Sequence, residues 1–375
     1  MKKGTIVGIL LIVIVLIGYF VFIPKQSSYE KDVIKIGVIL PITGPAAEIG
    51  KNILNGIEIA KELVKKQNDF RYEIVLEDSK LDPKQGISSA TKLIEIDKVK
   101  AIIGVAASPV ALAVAPICEK NKIIMLSSTA STPLLTNAGD YIFRIYPSDL
   151  YDGKILAKFA FNNKKIETFS ILYLNNDFGQ GLKDVFADEY SKLDGKITNT
   201  ESFSASDTDF KTQLLKIKQS KPKGLLVIAI DMQYINIIKQ IRELNVNSEI
   251  FAPVTFDNKD ILSSLGDAAN GVIYSRPFYD PAQKNIKMTN FIKKYQEEKN
   301  KEPSLLTALG YDSYDIIVNC LHKNENNINA TKEYLYNLNH NGVSGDSKFD
   351  NNGDVIKSLE IMIIKNKKAV KYEEK

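Results

Sequence analysis

Hydroxyl side chains collect at two places where the backbone is also free to bind. The segment Leu126-Ser127-Ser128-Thr129-Ala130-Ser131-Thr132-Pro133 follows one apolar run, and Ser108-Pro109 follows an earlier one. Hydroxyls and free N–H groups beyond strand ends, with a helix N-terminus behind Ser108, suit a carboxylate. The same residue types cap helices and form turns, so Ser108, Thr129 and Ser131 are open to either role. Asp149, Asp231 and Asp257 each lie just beyond a strand or at a helix start. Each serves as an N-cap or as the partner of a ligand ammonium, because a cation taken out of water needs a counter-charge. Phe178, between Asp177 and Gly179, and Tyr311 are the aromatic candidates for covering a ligand, with a core position the default for Tyr311.

Other chemistries find little to draw on. His322 and His340 are the only two histidines, both in polar, Asn-rich stretches, which leaves a His-based triad or a His-rich metal site without members. Cys118 and Cys320 are far apart with no CxxC pair, and they read as buried apolar side chains ahead of a single bridge. Between Gly44 and Gly50 lie five residues, not the four of a phosphate loop, and Asn52 stands where that loop needs Ser or Thr. A turn and helix N-terminus at the mouth of a ligand crevice is the better account. No GxGxxG follows a strand and no GxSxG occurs, so neither a bound cofactor nor an enzyme is expected. Forty-nine Lys and Arg against 45 Asp and Glu give +4, dispersed along the chain, and nucleic acid is not an expected partner.

The elements that must position these residues alternate regularly. A chain of 375 residues, 44% hydrophobic and 25% charged, has material for two ordinary domains. Val33–Leu40 is a nearly continuous apolar run, the pattern of a strand buried on both faces of a parallel sheet. Residues 46–65 change to a helical period, residues 72–76 return to strand, and Asp82-Pro83 caps a helix running to Ile96. Further strands are expected at 101–104, 123–126, 169–174, 224–230 and 249–254, each separated by enough chain for a helix. This alternation means parallel, helix-covered sheets in two lobes, the second beginning near Ser148. Asp177 is expected to cap a helix, and a last strand pair at 348–349 and 359–364 to close the chain. In open sheets of this kind ligands bind beyond the carboxyl ends of the strands.

Lys2 and Lys3 precede residues 4–23, a run without a charge that spans roughly 30 Å as a helix. The lysines favour a cytoplasmic N-terminus and an external remainder. The run is long for a cleaved leader and ends without a small-x-small signal, so an uncleaved anchor is expected ahead of a signal peptide. A linker at 24–32 would then join it to the first lobe.

The chain resembles the type I periplasmic binding proteins, in the leucine/isoleucine/valine-binding branch of ABC-transporter receptors. The residues that carry the likeness are IKIGVILPITGPAAEIG, Asp82-Pro83-Lys84-Gln85, GVAAS through Ser108, SSTASTPLLT, FRIYPSD ending at Asp149, NNDFGQGLKD, and LGYDSYD from Leu309. The resemblance implies an α/β fold of two Rossmann-like lobes joined by three crossings. Lobe I would comprise 33–148 and 278–355, and lobe II 149–277 and 356–375. It also implies hinge closure on a small solute and delivery to a permease in the membrane. In amino-acid-binding relatives, positions matching Ser108 and Ser131, with backbone at Thr129, hold the carboxylate. An aromatic matching Phe178 covers the ligand, and a Glu after a Gly-Pro pair takes the ammonium. Here Ala252-Pro253 is followed by Val254, so that acid is missing. Asp257 or Asp149 is the expected replacement, and a ligand without an ammonium (an amide, urea or aromatic acid) is the alternative. A ligand-sensing domain of a signalling system is the rival function.

Overall fold

The computed structural model describes residues 33–44, 46–64, 71–230, 232–283 and 285–373. The apolar run at 4–23, the linker and Asp231 lie outside them. No helix among the described residues is long and apolar enough to cross a membrane.

The first lobe is built on a five-stranded sheet of β1 (Val33–Leu40), β2 (Arg71–Asp78), β3 (Ala101–Gly104), β4 (Ile124–Ser127) and β5 (Ile142–Arg144). Their order is β2-β1-β3-β4-β5 and every pairing is parallel. The apolar run of β1 sits inside the sheet for a physical reason. Both of its faces are covered by helices, so neither can be polar. Those helices are α1 (Ala47–Val64), α2 (Pro83–Glu95) and α3 (Ser108–Asn121), joined later in the chain by α9 (Ile286–Lys299), α10 (Leu305–Lys323) and α11 (Ile328–Tyr336). α1 and α10 cross backbone to backbone. A Cβ on Gly56 would lie 1.9 Å from Thr307 O, and one on Gly310 2.0 Å from Ile53 O. Only glycine permits that approach.

The second lobe contains α4 (Asp149–Lys158), β6 (Thr168–Leu174), α5 (Asp177–Lys192), β7 (Lys196–Phe203), α6 (Lys211–Gln219), β8 (Gly224–Ile228), α7 (Gln233–Glu243), β9 (Glu249–Ala252), α8 (Lys259–Leu265) and β10 (Ile273–Pro277). After the small hairpin β11 (His340–Gly342) and β12 (Gly345–Ser347) in the first lobe, β13 (Leu359–Lys365) and β14 (Lys368–Lys371) complete the second sheet. Its order is β14-β13-β10-β9-β8-β6-β7, parallel from β10 through β7 and antiparallel at the β13 and β14 edge. The chain passes between the sheets three times: after β5, after β10 and before β13.

Several local expectations change. Phe349 pairs only with Val355 in an isolated bridge, so 348–349 and 359–364 are not a strand pair; β13 runs beside β10 and β14 instead. The cap of α5 is Asn176, whose side chain accepts from Gly179 N, with Asp177 one position inside the helix. β5, β7, β10, β11, β12 and β14 had no expected counterpart. β7 is an edge strand of mostly polar residues, KITNTESF, and its identity comes from pairing with β6. Cys118 and Cys320 are separate buried thiols in different apolar clusters, and burial pushes each up to about 12.

Candidate ligand-binding site

The loops after β3 and β4 lie side by side because their strands are parallel neighbours in register, Gly104 opposite Ser127. Hydroxyls stitch them together. Ser127 Oγ donates to Val105 O at 2.8 Å and accepts from Ala130 N at 3.0 Å, and Thr129 Oγ1 donates to Ala106 O at 2.7 Å. Ser108 opens α3 without being its cap, which is Ala107, and its hydroxyl accepts from Thr132 N at 3.3 Å. Ser108 and Ser131 are buried, and Thr129 is half-buried. Thr132 is wholly buried, yet its own hydroxyl has no hydrogen-bond partner among the described residues.

Beneath this loop lies an ion pair with no counterpart in the sequence reading. Arg144 ends β5 at 1% exposure and grips Asp354 through Nε at 2.6 Å and Nη2 at 2.7 Å. It also donates to Thr132 O and to Thr136 Oγ1, each at 2.7 Å. An arginine inside the apolar stretch IFRIY was the available signal, since a buried charge must be paired. The pair ties the hydroxyl loop to the returning segment near 354 with fork-to-fork geometry.

Facing Ser131 is the start of the second lobe. Asp149 N donates to Ser131 O at 2.8 Å, and Ser131 Oγ donates to Asp149 Oδ2 at 3.0 Å. Ser148, not Asp149, caps α4. That leaves the Asp149 carboxyl, 1% exposed, outside the capping role. Asp152 is also buried, and its carboxyl accepts from Ser275 Oγ on β10. Burial and then the nearby charge of Asp152 hold the Asp149 carboxyl well above the usual carboxylate range, partly offset by Ser131 and Arg144. Burial pushes Asp152 up to about 6, offset by Ser275. Asp257 is differently placed: it accepts from Tyr274 Oη at 2.9 Å and pairs with Arg276 Nη1 at 3.3 Å. Its charge is already compensated within lobe II. Tyr146, on the first crossing, is buried among these groups. Burial, followed by Asp152, Asp149 and Asp257, raises its hydroxyl well above the ordinary value.

The lobes touch beside this acid cluster. α5 abuts α3 and the short helical turn Pro133–Asn137. Gly181 makes the approach possible, since a Cβ there would stand 2.8 Å from Pro133 Cδ and 3.3 Å from Thr132 Oγ1. Val254, in a single helical turn after β9, packs onto the apolar cluster of lobe I. Phe178 is buried in the cluster formed by α4, α5 and the lobe II sheet, alongside Leu182 and Phe186. Tyr311 lies in the lobe I core with its ring edge-on to Phe291, centroids 5.1 Å apart. The structure thus brings Ser108, Thr129, Ser131 and Asp149 together. Phe178 is buried in the lobe II core, Tyr311 in the lobe I core, and Asp257 is engaged with Arg276.

The histidines correct another expectation. His340 does stand in a group of candidate ligands: its Nε2 lies 3.6 Å from both Asp312 Oδ1 and Asp315 Oδ2. These three groups converge as metal ligands do. However, Lys287 Nζ already sits 3.0 Å from Asp315 Oδ2, and the N–H groups of Val343 and Ser344 occupy both oxygens of Asp312. The arrangement braces the β11–β12 hairpin against α10, with Lys357 of the third crossing hydrogen-bonded to Ser344. Sequence spacing gave no sign of it, because α10 and the hairpin meet only in the fold.

Comparison with known proteins agrees with this architecture. Residues 33–369 match the model of a family described as periplasmic binding protein. A leucine-, isoleucine-, valine-, threonine- and alanine-binding protein of Pseudomonas aeruginosa is 26% identical over 362 residues, covering 95% of each chain. The crystal structure of the leucine-binding protein LivK from Thermotoga maritima is similar with a TM-score of 0.84 and 29% identity, covering 91% of this chain and 98% of that one. An ABC-transporter solute-binding protein of Rhodopseudomonas palustris BisB5, in complex with 3,4-dihydroxybenzoic acid, matches with a TM-score of 0.80 and 25% identity, covering 89% and 94%. With two α/β lobes meeting at a hydroxyl-lined loop and a family match over nearly all of the described chain, this protein belongs to the type I periplasmic binding proteins of leucine/isoleucine/valine-binding type, substrate-binding receptors of ABC transporters.

Proposed function

We propose that the chain is the extracytoplasmic receptor of an ABC importer that closes its lobes on a small carboxylate-bearing solute, an aliphatic amino acid of the branched-chain type. The observation that carries the reading is where Ser131 meets Asp149. Hydroxyls of one lobe stand against a carboxyl of the other at the place where the lobes touch. Such a meeting point offers an anion and a cation opposite partners in one cleft. The names of the Pseudomonas and Thermotoga relatives support the amino-acid assignment. We read Ser108, Thr129 and Ser131 as the carboxylate side, with Asp149 facing them. The chain binds and releases its solute without turning it over, closure and release being a population shift between two lobe arrangements. The apolar run at 4–23 supports a tether to the membrane near the permease.

A second reading is an aromatic acid. Val254 stands where an acid is expected in the amino-acid receptors, and the Rhodopseudomonas protein holds 3,4-dihydroxybenzoic acid. Thermal-shift screening with aliphatic amino acids, short amides and hydroxybenzoates separates the two, because a ligand at 100 times its Kd adds about 2.7 kcal/mol to stability. A shift with leucine or isoleucine is expected. A shift with hydroxybenzoates alone would establish the second reading.

A further inference from the structure

Unsatisfied polar atoms gather around the β11–β12 hairpin of lobe I. His340 Nε2, Ser347 Oγ and Tyr279 Oη are buried atoms with no hydrogen-bond partner among the described residues. His340 and Ser347 stand opposite each other in the hairpin. Burial, followed by the charge of Asp312, raises the Tyr279 hydroxyl, which sets it in the field of the carboxylate that His340 faces. Buried polar groups are ordinarily satisfied, so three together call for a common partner.

The hairpin brings His340 to two buried acids of α10. Asp312 and Asp315 stand three residues apart on one helical face. The imidazole is 10% exposed, and its Nε2 lies 3.6 Å from Asp312 Oδ1 and 3.6 Å from Asp315 Oδ2. Both distances are too long for a hydrogen bond. Two ligands on one tetrahedral zinc, each bonded at about 2.0 to 2.2 Å, stand about 3.4 Å apart, and the observed spacing fits atoms that share an ion. One imidazole with two carboxylates suits zinc, whereas calcium and magnesium prefer oxygen alone. Groups that orient such ligands are in place as well. The N–H groups of Val343 and Ser344 donate to Asp312, and Asn319 Nδ2 donates to Asp315 Oδ1. Lys287 now lodges against Asp315 Oδ2 at 3.0 Å, but it also donates to Asn341 O at 2.9 Å and is 35% exposed. It can yield the carboxylate without being stranded. Lys357 faces Asp312 from the third crossing and is held by Ser344 Oγ at 2.7 Å.

We propose that Asp312, Asp315 and His340 form a zinc site in lobe I, Lys287 leaving Asp315 as the ion enters and a metal-bound water giving the Tyr279 and Ser347 hydroxyls their partner. Two carboxylates and a neutral imidazole balance the charge of the ion. Zinc then clamps the hairpin to α10, whichever solute the cleft takes.

The test uses the full chain without an affinity tag, stripped with a chelator and titrated with zinc and, separately, with cobalt(II). One equivalent of zinc is expected to bind and to raise the thermal midpoint, and cobalt(II) should give the visible absorption of a four-coordinate site. Lys287→Met removes the competing ammonium and should tighten zinc at least tenfold. His340→Gln should weaken zinc by about a hundredfold or more. His322→Gln, at the other histidine, should leave zinc binding unchanged. A parent chain that takes up no zinc, or a His340→Gln variant that binds it as well as the parent, overturns the proposal. Lys287→Met without tighter binding overturns it too, and marks the three groups as a brace alone. Should His340→Gln fail to fold, the cobalt spectrum and Lys287→Met decide the matter by themselves.

Discussion

Ser131 is the residue on which the two lobes first agree. Its carbonyl receives the Asp149 N–H and its hydroxyl reaches the Asp149 carboxyl, so Ser131 lies at the junction of the hydroxyl-rich loop of lobe I and the start of α4. Replacing it with alanine removes one hydrogen bond to a charged group. Ser131→Ala should weaken a carboxylate ligand by about 1 to 2 kcal/mol in titration calorimetry, and unchanged affinity would take the residue out of the site. Arg144 works differently, through the loop and not through the solute. Its guanidinium holds Thr132 O, Thr136 and Asp354 at once. Arg144→Ala strands the buried Asp354 carboxylate, and chemical denaturation should register a loss of about 3 to 5 kcal/mol. If the cost were instead below about 1 kcal/mol, Asp354 must reach water in the folded protein.

Among the elements, α5 brings helix against the other lobe. Its cap, Asn176, fixes where the first turn begins, and Gly181 then presents a bare backbone to Pro133 and Thr132 of lobe I. A larger side chain at this point collides across the cleft without entering either core. Gly181→Leu should therefore leave the unfolding transition of the ligand-free protein within about 1 kcal/mol of the parent, as for other substitutions outside the cores. Ligand affinity should fall at least tenfold, and small-angle scattering should no longer detect compaction on adding ligand. Full affinity in this variant would mean that the closed form does not require the α5 contact. The α1–α10 crossing is a stiffer element, since Gly56 and Gly310 leave no room for even a methyl group. It belongs to the frame of lobe I, against which the hydroxyl loop is fixed through Ser128 and Ser313 Oγ at 2.9 Å.

For the whole molecule, function lies in the relation of two separately packed bodies. Each lobe has apolar clusters on both faces of its own sheet, and the three crossings place the Asp149 start of α4 opposite the loops of lobe I. The proposed closure would leave both cores intact, as a hinge requires. The proposed membrane tether belongs to this scale too. With residues 4–23 retained, a full-length protein expressed in a bacterium should sediment with membranes and resist extraction by high salt or carbonate. An intact mass beginning near Ser27, with the protein in the soluble fraction, would instead mean a cleaved leader.

By itself the sequence determined the class of fold and most of its frame. Continuous apolar runs such as Val33–Leu40, punctuated by caps such as Asp82-Pro83, encode parallel strands and helices through local periodicity and turn chemistry, and those signals are short-range. It also marked Ser108, Thr129 and Ser131 as hydroxyls beyond strand ends and Asp149 as a carboxyl at a helix start, which the fold brings together, and Phe178, Asp257 and Tyr311, which lie apart from them. Only the tertiary structure decided the rest. β7 is polar and exists because β6 lies beside it; Asp257 is taken up by Arg276, and His340 faces Asp312 and Asp315. The hydrogen bond from Ser275 to Asp152 likewise joins groups 123 residues apart in the chain. Whether a carboxyl is free for a ligand depends on which charges the fold brings within a few ångströms of it, and that distance is not written in sequence spacing.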